Sequence, residues 1–363
     1  MVLYILILSV IGILVIASAT MNDGPSTYYR QIMGVSVGFI CMLIISMIDY
    51  HWVLRWYILI YLAMAGMLIA VLLFGTSTDT GVTRWLVLPV IGQIQPSEFA
   101  KIAVIAFFAR FFEKYEDRIN SPAVVFGSVA LLGIPAVLIL EQPNLSTAIV
   151  FFIIFLVMIY TAKISYKWVF GTVAVALPCL GIFLFLLSNG YNLFLRSYQA
   201  NRILGFFGLA ANTEDIQLQQ INSRMAIGSG QLYGKGLFNT TLESVKNGNF
   251  LMEEDTDFIF AVVGEEMGFI GSCVVIGLFV LIILECIWLA ARAKDMSGRL
   301  ICIGMASLLA FQAFINIGVA SYLLPNTGLP LPFISAGLSS LISIFMGMGL
   351  VLNVGMQRKT ELL

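Results

Sequence analysis

Apolar residues come along this chain in long runs separated by short polar joints. A helix needs about 20 mainly apolar residues to cross roughly 30 Å of hydrocarbon. Ten stretches meet that description, at about 2–20, 32–49, 55–74, 97–113, 123–141, 145–161, 168–188, 258–290, 300–323 and 333–356. The first, Val2 to Ala19, has no basic residues ahead of it and no cleavage site before Asn22, so it reads as a retained anchor. The eighth is longer than a bilayer requires, which predicts a tilt or an extension beyond the membrane. The expected fold is an all-α polytopic membrane protein of about ten transmembrane helices. It forms a single domain over 1–363, with one long extracytoplasmic loop at 189–257 between spans 7 and 8.

Composition agrees and narrows the chemistry. Hydrophobic residues make up 60% of the chain and charged ones 11%, with a mean hydropathy of +0.98. A soluble domain carries about 25% charge, so a water-soluble globule is excluded. The 19 Lys and Arg against 20 Asp and Glu leave no basic excess to bind nucleic acid. A single histidine, His51, removes nearly all His-based chemistry. Cys41, Cys179, Cys273, Cys286 and Cys302 all lie in apolar runs without CxxC spacing, which supports neither a disulfide framework nor a zinc site.

Ten spans put both termini on one side, and the basic residues choose which. With the termini inside, eleven Lys and Arg fall in cytoplasmic segments, among them Arg110, Lys163, Arg292 and Arg358, while the short outer loops hold only Arg30 and Arg84. The 189–257 segment adds Arg196, Arg202, Arg224, Lys235 and Lys246 outside, but loops of that length largely escape the rule. The expected orientation is termini in, long loop out.

Ionisable residues inside hydrocarbon are costly, and so are either paired or functional. Glu98 and Lys101 stand i,i+3 on the fourth span, where they can neutralise each other or border a polar cavity. The outer joints collect the unusual sequence. Gly81 to Glu98 is a loop with Arg84-Trp85 and two prolines; Glu141 to Ala148 is a turn around Pro143. Ala226 to Phe238 places glycines at 228, 230, 234 and 236, which reads as a turn with close backbone approach and does not match a phosphate-binding P-loop. Glu253 to Asp257 is the densest acidic run and falls at the mouth of span 8, where Asp255 or Thr256 is available as a helix cap. Glu265 and Glu266 lie about 12–14 Å deeper along that helix and need partners. Leu323 to Ser340 carries Pro325, Pro330 and Pro332; irregular backbone at that depth requires cover from protein or a watery cavity. Four outer segments are thus expected to converge on one cavity.

These residues resemble the SEDS family, the membrane proteins of shape, elongation, division and sporulation that include the RodA, FtsW and SpoVE branches. The matching pieces are Arg84-Trp85; Gln95 to Glu98 with Lys101; Gln142 to Ala148; Ala226 to Gly236; Thr256 to Gly271; and Thr327 to Ser335, in family order along nearly the whole chain. Departures occur where the family usually reads QPDLGTA and this chain has Asn144 and Ser146. Asp255 replaces a common histidine, and Ser335-Ala336-Gly337-Leu338-Ser339-Ser340 stands where the family has SYGGSS. The compact length and minimal tails are most like the RodA, cell-elongation branch.

The resemblance implies a peptidoglycan glycosyltransferase that joins lipid II disaccharides at the outer face of the cytoplasmic membrane, working with a class B penicillin-binding protein. It maps the aspartate on which polymerisation depends to Asp257, and places Arg84, Glu98 and Lys101 beside the central cavity. An α-linked donor giving a β-1,4 glycan requires inversion, hence one in-line displacement with a general base. An aspartate with a reference pKa near 3.9 is ionised at neutral pH and suits that role. The leaving diphosphate calls for cations, and Arg84, Lys101, Arg202 and Arg224 are the candidates. A divalent cation (Mg or Mn) held by Glu253 to Asp257 and the diphosphate is a further expectation, with no all-protein metal site. A lipid II flippase and a non-catalytic scaffold for a penicillin-binding protein are the alternatives.

Overall fold

The order of helices in the computed structural model follows the apolar runs. The structure describes residues 1–21, 26–77, 83–88, 92–189, 200, 204, 206, 214–239 and 255–357. In chain order the elements are α1 (Val2–Ala19), α2 (Ser26–Met47), a short α3 (Tyr50–Arg55), α4 (Tyr57–Phe74), β1 (Thr76–Ser77), β2 (Thr83–Leu88) and β3 (Gly92–Ile94). Then come α5 (Pro96–Lys114), α6 (Pro122–Glu141), α7 (Leu145–Thr161), α8 (Tyr166–Ser188), α9 (Glu214–Ser229), α10 (Ile259–Ala291), α11 (Met296–Ala320) and α12 (Leu338–Met356). Among the described residues, eight helices are long and apolar enough to cross a membrane. The two other expected spans are α7, with 17 residues, and α5, which carries Glu98, Lys101, Arg110, Glu113 and Lys114. This is an all-α polytopic membrane fold.

Helix starts follow local chemistry. Asn144 caps α7 by accepting from Thr147 N at 3.2 Å, and Asp295 caps α11 by accepting from Gly298 N at 3.1 Å. Proline occupies the first turn of α5 and α6, where its missing N–H costs nothing. Burial is distributed as lipid solvent demands. Phe108, Phe112 and Phe155 stack inside between α5 and α7, while Phe126, Phe170, Phe185 and Phe314 are exposed on the periphery. Lipid tails are as apolar as leucine, so helix pairs need close approach rather than hydrophobic drive. On α2, Gly34 and Gly38 supply it: a Cβ at Gly38 would lie 2.5 Å from the Phe345 ring of α12. Every residue of 171–179 in α8 is exposed, so this helix stands clear of the bundle along that stretch.

Contacts define two ends. At the lower end Tyr50, His51, Glu113, Asp295, Ser297 and Asn353 form a polar clasp. The His51 ring lies between Asp49 (2.8 Å) and Asp295 (3.0 Å), and the Tyr50 hydroxyl donates to Asp295 at 2.6 Å. Burial pushes the Asp295 carboxyl up, but hydrogen bonds from Tyr50, Ser297 and the Gly298 amide bring it below the usual range. A cavity of about 460 Å³ at this end is lined by Met1, Glu285, Trp288, Leu352 and Met356 and touches no candidate site residue.

Three expectations change. Residues 81–98, expected as a loop, contribute β2 and β3 to a small antiparallel sheet in the order β1-β2-β3, with Leu86 opposite Ile94. The eighth span is broken within its length at Gly268 (φ 65°, ψ −163°). The tenth begins as helix only at Leu338, because Phe333 (φ 65°) and Gly337 (φ 154°) take non-helical backbone conformations; 321–337 is turn and irregular backbone.

Candidate active site

At the upper end the break in α10 is filled by the glycine-rich segment that follows α9. In a continuous helix Phe269 N and Ile270 N would bond Glu265 O and Glu266 O. Here Phe269 N donates to Gln231 O (2.9 Å) and Ile270 N to Leu232 O (3.2 Å), while Lys235 N and Gly236 N donate to Glu265 O and Glu266 O, both at 2.9 Å. These four backbone groups are satisfied by one inserted segment, as a broken helix at membrane depth requires. The same segment supplies the partner of Glu265, and α1 supplies that of Glu266. Lys235 Nζ pairs with Glu265 at 2.7 Å, and the Ser18 hydroxyl donates to Glu266 at 2.6 Å while accepting from Phe238 N at 2.9 Å.

Two glycines make this insertion sterically feasible. A Cβ at Gly234 would stand 2.1 Å from Glu266 O, and one at Gly268 would stand 2.3 Å from Gly234 N; both residues have positive φ. Gly268→Ala is therefore expected to lose about 1–3 kcal/mol from backbone strain alone. Thermal unfolding in detergent checks this; a variant as stable as wild type would contradict the docked arrangement.

Asp257 lies in the turn 255–258 just before α10 and is half-buried. The expectation that Asp255 or Thr256 caps the helix is corrected. The cap position is Phe258, without a side-chain cap bond, because the turn is held through its carbonyls instead. Ala336 N donates to Asp255 O at 2.8 Å, the Ser335 hydroxyl to Thr256 O at 2.6 Å, and Asn316 Nδ2 to Asp257 O at 2.9 Å.

Further bonds join the other outer segments to one another. Gln95 N, ahead of α5, donates to the Ser339 hydroxyl at 3.0 Å, which ties the Glu98 end of α5 to the start of α12. Ser146 donates to Thr327 O, joining the α6–α7 turn to the proline-rich segment. Arg84, on β2, donates through Nε to Gln142 O at 3.3 Å and through Nη2 to Pro143 O, so it holds the α6–α7 turn. Two departures from the family pattern thus have local roles: Asn144 caps α7, and Ser146 carries the bond to Thr327.

Glu98 and Lys101 are 2% and 0% exposed and form an ion pair at 2.8 Å. Arg224 is exposed on α9, 5.4 Å from the centre of the Tyr322 ring, and α9 is fastened to the end of α11 by Gln220 and Ser223. Arg202, Glu253 and Glu254 lie outside the described residues. Among the described residues no group of three His, Cys, Asp or Glu side chains is placed to hold a metal ion, and two of the carboxylates expected to hold the divalent cation, Glu253 and Glu254, lie outside them.

The hold of Asn316 on the Asp257 turn and the pairing of Lys235 with Glu265 add to the expected site residues. Asn316 had a legible signal, since it and Gln312 are two amides four residues apart in an otherwise apolar span. Lys235 had none, because its partner is set by the insertion.

The match to known proteins runs the length of the chain. Residues 1–360 match the family described as cell cycle protein, FtsW/RodA/SpoVE. The chain belongs to the SEDS family. Among relatives, this SEDS protein is 34% identical over 342 residues to a probable peptidoglycan glycosyltransferase FtsW of Geobacter sp. (strain M18), covering 94% of this chain and 89% of that one. It is 33% identical over 361 residues to the peptidoglycan glycosyltransferase MrdB of Escherichia coli (strain K12), covering 99% and 93%. Among solved structures, a chain of a peptidoglycan synthase complex that coordinates polymerization and crosslinking superposes with a TM-score of 0.81 at 26% identity, over 99% of this chain and 98% of that one. The rod shape determining protein RodA of Thermus thermophilus superposes with a TM-score of 0.69 at 25% identity, over 99% and 97%.

Proposed function

We propose that this SEDS protein is a peptidoglycan glycosyltransferase of the RodA, cell-elongation branch, polymerising lipid II into β-1,4 glycan strands at the outer face of the bacterial cytoplasmic membrane. The observation that carries the reading is relatedness over nearly the full chain to proteins named for that activity, at 33–34% identity. The termini are cytoplasmic, residues 189–257 belong to the same single domain, and the partner is a class B penicillin-binding protein, which the structural likeness to a synthase complex supports.

The chemistry follows from what the reaction must do. The acceptor sugar hydroxyl attacks the anomeric carbon of the donor from the face opposite the lipid diphosphate. A carbon–oxygen bond forms there as the bond to the diphosphate breaks, which inverts the centre. Asp257 accepts the hydroxyl proton, and the negative charge departs on the diphosphate. Arg84, Lys101, Arg202 and Arg224 are the cations assigned to that charge, with Glu98 setting the Lys101 ammonium in place.

Purified chain reconstituted in vesicles with lipid II, alone and with its transpeptidase partner, tests the reading. Glycan strands and released lipid diphosphate are expected. Passage of labelled lipid II between leaflets without any glycan would instead identify a flippase.

A further inference from the structure

The turn that carries Asp257 is not held by its own helix. Its three successive carbonyls, of Asp255, Thr256 and Asp257, each accept a hydrogen bond from outside: Ala336 N at 2.8 Å, Ser335 Oγ at 2.6 Å and Asn316 Nδ2 at 2.9 Å. Both side-chain donors are fully committed. Ser335 has one hydroxyl proton, which goes to Thr256 O, while its oxygen accepts from Leu331 N at 2.7 Å. Asn316 spends the two protons of its amide nitrogen on Asp257 O and on Leu329 O at 2.8 Å. Because both of those partners are carbonyls, only the nitrogen of the amide can face them, and this fixes its orientation. Asn316 and Ser335 are 1% and 3% exposed, so water does not compete for these bonds.

The donors sit on rigid ground. Asn316 lies in the last turns of α11. Ser335 follows Phe333 and Ile334, both buried, with the Phe333 ring edge-on to Phe345 of α12 at 5.3 Å. Each side chain therefore bridges the Asp257 turn to the proline-rich segment, Asn316 through Leu329 and Ser335 through Leu331. A carboxylate that must meet a sugar hydroxyl within hydrogen-bond reach needs its backbone fixed, and a displacement of about 1 Å can cost on the order of 10²-fold in rate.

We infer that Asn316 and Ser335 are positioning residues for the glycosyl transfer: together they clamp the backbone of the 255–257 turn and thereby aim the Asp257 carboxylate. The inference rests on the reading of Asp257 as the base, and the experiment separates the two. Ser335→Ala, Ser335→Thr, Asn316→Ala and Asp257→Asn are purified and assayed on lipid II for kcat, for KM and for thermal midpoint. Ser335→Ala and Asn316→Ala are expected to lower kcat by about 10–100-fold with KM for lipid II within about twofold of wild type. Ser335→Thr, which keeps the hydroxyl, recovers most of the loss that Ser335→Ala causes. A wild-type kcat in Ser335→Ala or Asn316→Ala, beside an inactive Asp257→Asn, overturns the inference and leaves the base assignment standing. A loss that tracks a collapsed thermal midpoint and is not recovered by Ser335→Thr also overturns it, since the side chains would then serve only folding. Full activity in Asp257→Asn removes the base itself.

Discussion

Lys101→Met is expected to destabilise the protein by about 3–5 kcal/mol, because it leaves the Glu98 carboxylate buried without its cation. Both side chains are almost fully enclosed and 2.8 Å apart, so water cannot substitute for the lost partner. The double variant Glu98→Gln/Lys101→Met should regain most of that stability, since replacing both members of a buried pair is often neutral. Activity is expected to behave differently. With the Lys101 ammonium assigned to the departing diphosphate, the double variant is expected to fold but polymerise poorly; activity that returns with stability would reduce the pair to packing. Thermal unfolding in detergent, run beside the polymerisation assay, reads both quantities. A single variant that melts with wild type would show that the pair is not enclosed as described.

Much of the architecture was legible because a bilayer leaves few choices. Each apolar run long enough to span became a helix, including the seventeen-residue α7 and the charged α5. What stayed hidden depended on partners distant in sequence. Nothing near Gly268 announces that residues 231–236 will take over the backbone bonds of Glu265, Glu266, Phe269 and Ile270. The glycines at 234 and 268 were visible, but their shared purpose appears only when the two segments meet. The sheet within 76–94 was missed because β1 and β3 have only two and three residues, and Pro89 follows directly on β2. The candidate site shows the same division. Glu98 and Lys101 could be paired by i,i+3 spacing alone, whereas the hold of Arg84 on the Gln142 and Pro143 carbonyls, and of Asn316 on Asp257, spans about 60 residues in each case.

The largest effect on chemistry is expected at Asp257. Asn is nearly isosteric with Asp, and the turn is clamped through backbone carbonyls that the substitution leaves untouched. Folding is thus retained while the proton acceptor is lost. General-base catalysis contributes about 10²–10⁴-fold, so Asp257→Asn should lower polymerisation by that factor or more. Since the base acts in the displacement itself, the loss should fall on kcat rather than on binding of the lipid-linked donor.

The most direct measurement is the glycan formed from lipid II by purified wild-type and Asp257→Asn protein in the same vesicles, each with its transpeptidase partner and matched by thermal midpoint. Long glycan strands from wild type and none above background from a folded Asp257→Asn is the predicted result; equal glycan from both would contradict it.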